Sequence, residues 1–283
     1  MEGPVWRCRA HELRCGGRTL LMGVLNVTPD SFSDGGAFLD PEAAVAQGVR
    51  MAEEGADVLD VGGESTRPGA DEVPVDVELD RVVPVIERLV KEIDRPISVD
   101  TRRAIVARAA IEVGASIVND VTAARDPEML TLVRDTGAGL VLMHMLGEPK
   151  TMQVDPRYDD VVGEVRSFLA DRIGAAVAAG VPRSSLCVDP GIGFGKTLEH
   201  NLLLLRAIGT FRELRVPVLV GPSRKRFIGE LTGVENPAER LEGTAGAVAW
   251  CAAQGVDVVR VHDVGAMRRV VDVVDAIARK GRR

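Results

Sequence analysis

The sequence predicts an α/β fold: a closed (β/α)8 TIM barrel with a short N-terminal β-hairpin. Three observations carry that expectation. Eight short β-branched runs alternate with eight segments of helical apolar spacing along the chain, the pattern of parallel strands joined by helical crossovers. The connections are short, and no linker or low-complexity stretch divides the 283 residues, which fits one barrel. Hydrophobic residues make up 46% of the chain but aromatic ones only 3%, so the core must be mostly Val, Leu, Ala and Ile, as strands buried on both faces require. A doubly wound open sheet is the competing topology. Residues 1–283 read as a single domain, with 1–18 as an extension.

The elements follow in order. Val5 to Arg18 reads as a hairpin that plugs the bottom of the barrel. The first strand is Thr19–Val27, with helix Glu42–Glu54 stopping before Gly55. Strand Val58–Gly62 precedes helix Val77–Ile93, and strand Pro96–Asp100 precedes helix Arg103–Val113, ended by Gly114. Strand Ser116–Val121 leads to helix Pro127–Thr136 and Gly137; strand Gly139–Met145 leads to helix Val161–Ala179 and Gly180. Strand Leu186–Asp189 is followed by helix Leu198–Leu214, strand Pro217–Gly221 by helix Pro237–Gln254 and Gly255, and strand Val256–Val261 by helix Ala266–Arg279.

Several function classes are disfavoured. A net charge of −7 is not the basic footprint of a nucleic-acid binder. No apolar run approaches the length of a membrane-spanning helix, and the first residues, MEGPVWRCRAHELR, contain no apolar signal core; a cytoplasmic protein is expected. Cys8, Cys15, Cys187 and Cys251 form no C-x-x-C pair and read as reduced thiols, mostly buried, with Cys8 and Cys15 facing each other across the hairpin. The stretch VDPGIGFGKT (188–197) ends in GKT, but the phosphate-loop glycine is replaced by Pro190, which has no N–H to give. Lys196 reads as structural or loop-surface.

The active site of such a barrel lies at the C-terminal ends of its strands, and polar residues gather there in this sequence. They are Asn26, Asp60, Asp100, Asn119 with Asp120, His144, Asp189, Ser223 with Lys225, and Arg260 with His262. Taken singly, each has an ordinary explanation: Asp100 or Asp120 as a helix cap, His144 as a satisfied core histidine. Together they divide by chemistry. Asp60, Asp100, Asn119 and Asp189 offer acceptors to a flat ligand with several N–H donors. Arg67, Lys225, Arg260 and His262 offer donors and positive charge to a phosphate or pyrophosphate. Asn26, followed by TPDSFSDGG, offers an amide oxygen to a cation such as Mg²⁺.

The blocks LMGVLNVTPDSFSDGG (21–36), DVGGESTRPGA (60–70), SVDTR (98–102), IVNDV (117–121), LMHM with GEPKTMQ (142–153), DPGIGFGKT (189–197), GPSRKRFIG (221–229) and VRVHDV (259–264) resemble the dihydropteroate synthases of folate biosynthesis, the sulfonamide targets. They span the chain except the hairpin. The resemblance implies a pterin-binding barrel that condenses 6-hydroxymethyl-7,8-dihydropterin pyrophosphate with p-aminobenzoate, with Mg²⁺ as cofactor and a homodimeric state. It also implies roles. Asp100, Asn119, Asp189 and Lys225 would hold the pterin, Asp189 accepting from its 2-amino and N3–H edge, with Met143 among the substrate-binding residues. Asp60 would join the substrate-binding set. Arg260 would lie over the ring and reach a phosphate. Asn26, Thr66, Arg67, Arg260 and His262 would hold pyrophosphate and Mg²⁺. Phe194 and Ser223 would border the p-aminobenzoate pocket with Thr66 and Pro68. Asp100, Lys225 and Arg260 are the implied catalytic residues. The loops Thr28–Gly36 and Glu64–Gly69 would close over pyrophosphate, and the seventh and eighth helical segments would form the dimer contact. Arg226 follows SRK where some members have Ser; pairing with the p-aminobenzoate carboxylate and pointing away are both open. A pterin-dependent methyltransferase or a non-catalytic pterin-binding relative is the alternative.

Overall fold

The structure, a computed structural model, describes residues 3–28, 41–65 and 72–278. Eight parallel strands form the barrel: β3 (Leu20–Asn26), β4 (Val58–Gly62), β5 (Ile97–Asp100), β6 (Ile117–Asp120), β7 (Gly139–Met143), β8 (Leu186–Asp189), β9 (Leu219–Val220) and β10 (Val258–Val261). Their order is β8-β7-β6-β5-β4-β3-β10-β9. The ring closes where Val188 bridges Val218 in parallel and donates its N–H to Pro217 O at 2.9 Å. The open-sheet alternative is thereby excluded.

Helices α1 (Pro41–Glu53), α2 (Val75–Glu92), α3 (Ala104–Glu112), α4 (Met129–Thr136), α5 (Val161–Ala178), α6 (Leu198–Arg206), α7 (Ile208–Arg212), α8 (Arg226–Thr232), α9 (Leu241–Ala253) and α10 (Val264–Ala278) connect the strands. The expected helix stops hold: Gly137, for one, follows α4 at φ 69° and donates its N–H to Val133 O, the left-handed cap that glycine adopts without strain. Two details differ from expectation. The segment Leu198–Leu214 is two helices, broken at Ala207 (φ −97°, ψ 17°). A further helix, α8, follows the seventh strand, which is itself only two residues long.

The hairpin, β1 (Val5–Cys8) with β2 (His11–Arg14), stops the bottom of the barrel as expected. Trp6 is fully buried among Met22, Val58, Ile117, Val141 and Val258, the inward residues of the strands, and its indole N–H donates to Ser185 O at 3.0 Å. Cys8 and Cys15 are not cross-strand partners: Cys8 pairs with His11, and the Cys15 N–H bonds Pro4 O. The reason is register, because a two-residue turn puts Cys15 beyond the last pair. All four cysteines are buried, and none is in a disulfide. A second, larger layer of Val, Leu, Ile and Ala lies between strands and helices. The lower barrel is thus filled, and the upper mouth is left for polar side chains.

Candidate active site

Strand register levels the polar residues at the mouth. Asn26 stands opposite Gly62, Gly62 opposite Asp100, and Asp100 opposite Asn119. Side chains at one level of parallel strands share a face, so these four strand ends present one tier. Gly62 contributes no side chain to it, and a Cβ there would stand 3.4 Å from Asp100 Cβ. Asn119 stands opposite Val141, so Met143 and Asp189, paired two residues further along β7 and β8, stand one level above this tier.

Arg260, rising from β10, crosses to the far side of the tier. Its Nε donates to Asp60 Oδ2 and its Nη2 to Asp100 Oδ2, each at 2.6 Å. Asn119 Nδ2 donates to the same Asp60 oxygen at 2.9 Å. Burial alone disfavours the guanidinium charge, and the two carboxylates more than offset that. The other oxygens, Asp60 Oδ1 and Asp100 Oδ1, are buried without a hydrogen-bond partner. Native proteins rarely leave such acceptors unpaired, and two on successive levels of one face, Asp60 opposite Ser98 and Asp100 opposite Gly62, mark the place for a ligand that donates N–H groups. Burial pushes the Asp100 carboxyl up to about 7; Arg260 opposes the shift and Asp60 adds to it.

Asp189 is also buried, which raises it to about 6 against the pull of the Gly191 hydrogen bond and of Lys225. Its Oδ1 accepts the Gly191 N–H at 2.7 Å. Lys225 Nζ stands 4.1 Å over the centre of the Phe194 ring, within cation–π range. Phe194 packs in turn on the small cluster of Val121, Met143, Met145 and Met152. Ser223 Oγ lies 3.0 Å from His262 Nδ1 and accepts the His262 backbone N–H at 3.3 Å. Arg224 fastens this loop with a two-pronged contact to Asp263, 3.1 and 2.6 Å. The mouth therefore interleaves acids and cations, with Arg260 on Asp60 and Asp100 and the Lys225 charge acting on Asp189.

The turn after β8 tolerates no side chain at Gly191, where φ is 70° and a Cβ would lie 1.9 Å from His144 O. Gly191→Ala is expected to push the Asp189 turn off the β7 end. Stability should fall by about 2–4 kcal/mol, from αL strain and backbone clash together. Chemical denaturation measures this; a variant within 0.5 kcal/mol of wild type, on the scale of an ordinary surface change, would show that the turn is free to move.

A family model described as pterin binding enzyme matches residues 22–262. The chain belongs to the pterin-binding enzyme family. Among similar members is the dihydropteroate synthase of Synechocystis, 46% identical over 265 residues, covering 93% of this chain and 92% of that one. A solved Xanthomonas albilineans dihydropteroate synthase with 4-aminobenzoic acid aligns with a TM-score of 0.91 at 51% identity, over 97% and 98% of the two chains. A structure of the enzyme from the same organism in complex with 7,8-dihydropteroate aligns at 0.88 and 48% identity, over 97% and 98%.

Within this pterin-binding barrel, Asn26, Asp60, Asp100, Asn119, Met143, Asp189, Phe194, Ser223, Lys225, Arg260 and His262 all stand at the C-terminal end of the strands or just past it. Thr66, Arg67 and Pro68 lie outside the described residues, as do most of the two loops expected to close. Asp120 is a turn residue: it accepts from Thr122 N and Oγ1, both at 2.7 Å, and from Ala124 N at 2.9 Å. Arg226 lies on the exposed side of α8, where its Nε meets Glu230 at 2.7 Å, away from Ser223. The loop-surface reading of Lys196 is corrected: it is 3% exposed, because the loop folds back over the end of β7. Arg102, the last residue of SVDTR, went unmarked. It reaches Glu64, Glu72 and Glu148 and so ties together the loops after β4, β5 and β7. An arginine one residue past a strand-end threonine resembles any solvated loop charge, and no sequence signal marks it out.

Proposed function

We infer that the chain catalyses the dihydropteroate synthase reaction, a transfer of the pterinylmethyl group from 6-hydroxymethyl-7,8-dihydropterin pyrophosphate to p-aminobenzoate. The observation that carries this is the pair of unpaired buried acceptors, Asp60 Oδ1 and Asp100 Oδ1, in a chain whose relatives of that name match over about nine-tenths of its length. A dihydropterin supplies the N–H donors these oxygens lack.

The residues have the following parts in this reading. Asp189 accepts from the 2-amino and N3–H edge, and Lys225 donates to the ring carbonyl and N5. Asn119 completes the ring contacts. Asp100 accepts on the N8–H side. As the C–O bond breaks, its electron pair leaves with pyrophosphate, and the exocyclic methylene becomes cationic in conjugation with the ring. Asp100 lowers the energy of that cation, and Arg260 and His262 that of the departing anion. The neutral aniline nitrogen then forms the C–N bond and loses a proton. Ser223 and Phe194 border the p-aminobenzoate side.

Magnesium fits the donors available. The described residues contain no cluster of three His, Cys, Asp or Glu able to hold a metal, but Mg²⁺ commonly uses one or two protein oxygens, with water and substrate phosphates completing its shell. Asn26, at the end of β3, is the proposed protein ligand, and the ion would neutralise pyrophosphate charge. A homodimer is also proposed. Trp250 of α9 and Val273 and Ile277 of α10 are 46%, 61% and 75% exposed, an apolar surface on the two helices expected to meet a second copy; analytical ultracentrifugation tests it. No helix among the described residues is long and apolar enough to cross a membrane.

The test is pyrophosphate release by the purified chain. Release that requires both the pterin pyrophosphate and p-aminobenzoate is expected. Release with neither dependence, or methyl transfer from a folate in its place, would overturn the assignment.

A further inference from the structure

Lys196 belongs to the glycine-rich loop after β8, and nothing in the reaction above uses it. Its ammonium is buried, an expensive placement unless every donor finds a partner. All three do: Nζ lies 3.0 Å from His144 Nδ1 and donates to Phe194 O at 2.9 Å and His144 O at 3.4 Å. For Nδ1 to accept, His144 must be the neutral tautomer with its proton on Nε2. Its surroundings enforce neutrality. The ring packs edge-on against Phe168 with centroids 4.9 Å apart, and burial together with the Lys196 charge lowers its pKa to about 3. Burial also lowers Lys196 to about 7, with Asp189 opposing and Lys225 adding to the shift, so the charge is held at a disadvantage that an apolar side chain would avoid.

What the charge fastens is the substrate platform. Phe194, whose carbonyl it binds, is the residue whose ring lies under Lys225 Nζ. Lys225 Cδ lies 3.2 Å from where a Gly193 Cβ would stand, so the same loop backbone supports its stem. The Phe194 N–H turns back to Gly191 O at 3.1 Å, and the flanks are tied by Gln153 to Gly193 O at 2.7 Å, Gly193 N–H to Asn201 Oδ1 at 2.7 Å and Tyr158 to Gly195 O at 2.9 Å; Lys196 is the side chain that holds the Phe194 carbonyl.

We propose that Lys196, seated on neutral His144, is a positioning residue for pterin recognition: it fixes the Phe194 backbone so that the Phe194–Lys225 pair stands where the pterin ring arrives. The proposal rests on the pterin reading of the site and deepens it. A brace with a purely structural role would act on stability alone; Lys196→Met removes a costly buried charge but also leaves the His144 Nδ1, His144 O and Phe194 O acceptors without their donor, which costs stability, so binding and stability are read separately.

The experiment compares the wild-type chain with Lys196→Met. Calorimetry with 6-hydroxymethylpterin as probe, steady-state kinetics and thermal unfolding are read on both. Lys196→Met is expected to unfold at a lower temperature than wild type yet stay folded at 25 °C, to bind the probe at least tenfold more weakly, and to raise KM for the pterin pyrophosphate in parallel while kcat changes less than threefold. A folded Lys196→Met whose probe affinity stays within twofold of wild type overturns the proposal and leaves the pterin reading intact. A wild-type chain that binds no pterin overturns the pterin reading and this proposal with it. Should Lys196→Met fail to fold, the ring nitrogens of His144 are followed by NMR in the wild type. An unprotonated Nδ1 that shifts on saturation with the probe supports the brace; a protonated Nδ1, or one indifferent to the probe, overturns it.

Discussion

Arg260→Met is expected to remove about 3–5 kcal/mol of stability at neutral pH, the usual result of stripping a partner from a buried ion pair. It is also expected to lower kcat/KM by about 10²–10³, as when one donor to a developing oxyanion is lost. Two carboxylates depend on this guanidinium, Asp60 and Asp100, each bonded at 2.6 Å. The pH dependence follows from Asp100, already raised to about 7 with Arg260 opposing the shift; without Arg260 it rises further. A carboxyl raised on folding binds a proton that the unfolded chain has released, so stability declines as pH climbs from about 4, the unfolded value, through the folded one. The deficit of Arg260→Met should therefore be smaller at pH 5 than at pH 8 in urea titrations. The double variant Arg260→Met, Asp100→Asn should recover part of it. A loss below about 1 kcal/mol at both pH values would mean that Asp60 and Asp100 are solvated and not held by Arg260.

Asp189→Asn should separate binding from stability. In the pterin site its amide would set an N–H₂ group or a weaker acceptor against the 2-amino and N3–H edge. Losing a hydrogen bond to a charged group costs about 1.5–3 kcal/mol, so pterin affinity is expected to fall about 10–100-fold. The fold should not suffer. Asp189 is raised to about 6, above an ordinary unfolded value near 4. By the same linkage its ionised form opposes folding at pH 7, and the isosteric amide removes that charge. A melting temperature equal to or above wild type, together with weakened pterin binding, is the expected pairing. Undiminished affinity would show that Asp189 does not meet the ring edge.

Much of this was legible in the sequence, for a physical reason. Parallel strands buried on both faces must be β-branched and apolar, so a polar residue at a strand end stands out; Asp100 in SVDTR and Asp189 in CVDPG were visible as interruptions. What pattern could not show was local geometry. The spacing of Leu198–Leu214 continues through Ala207, where the helix breaks, because a break of one residue leaves apolar spacing nearly intact. Strand Pro217–Gly221 contracts to Leu219–Val220 because its length is set by neighbouring strands. Helix α8 is short and lies inside a block whose residues had been read for chemistry. Between the structural and loop-surface readings of Lys196 the sequence could not choose, because a lysine among glycines is ordinarily solvated, and only the fold brings His144 and the Phe194 carbonyl to it. The tier of Asn26, Gly62, Asp100 and Asn119 is a matter of register, which alternation within each strand does not specify.

Buried, partly protonated carboxylates at the barrel mouth await the N–H edge of a pterin. Calorimetric titration of 6-hydroxymethyl-7,8-dihydropterin, which carries the N8–H that the oxidised ring lacks, into the protein at pH 6, in two buffers of different ionisation enthalpy, tests this most directly. With Asp189 raised to about 6 and Asp100 to about 7, a share of each is protonated at that pH, and N–H donors arriving on the carboxylates would lower both. Net release of protons on binding is the predicted result, diminished in Asp189→Asn and absent at pH 8.5. Tight binding with no proton exchange, or with uptake, would contradict it.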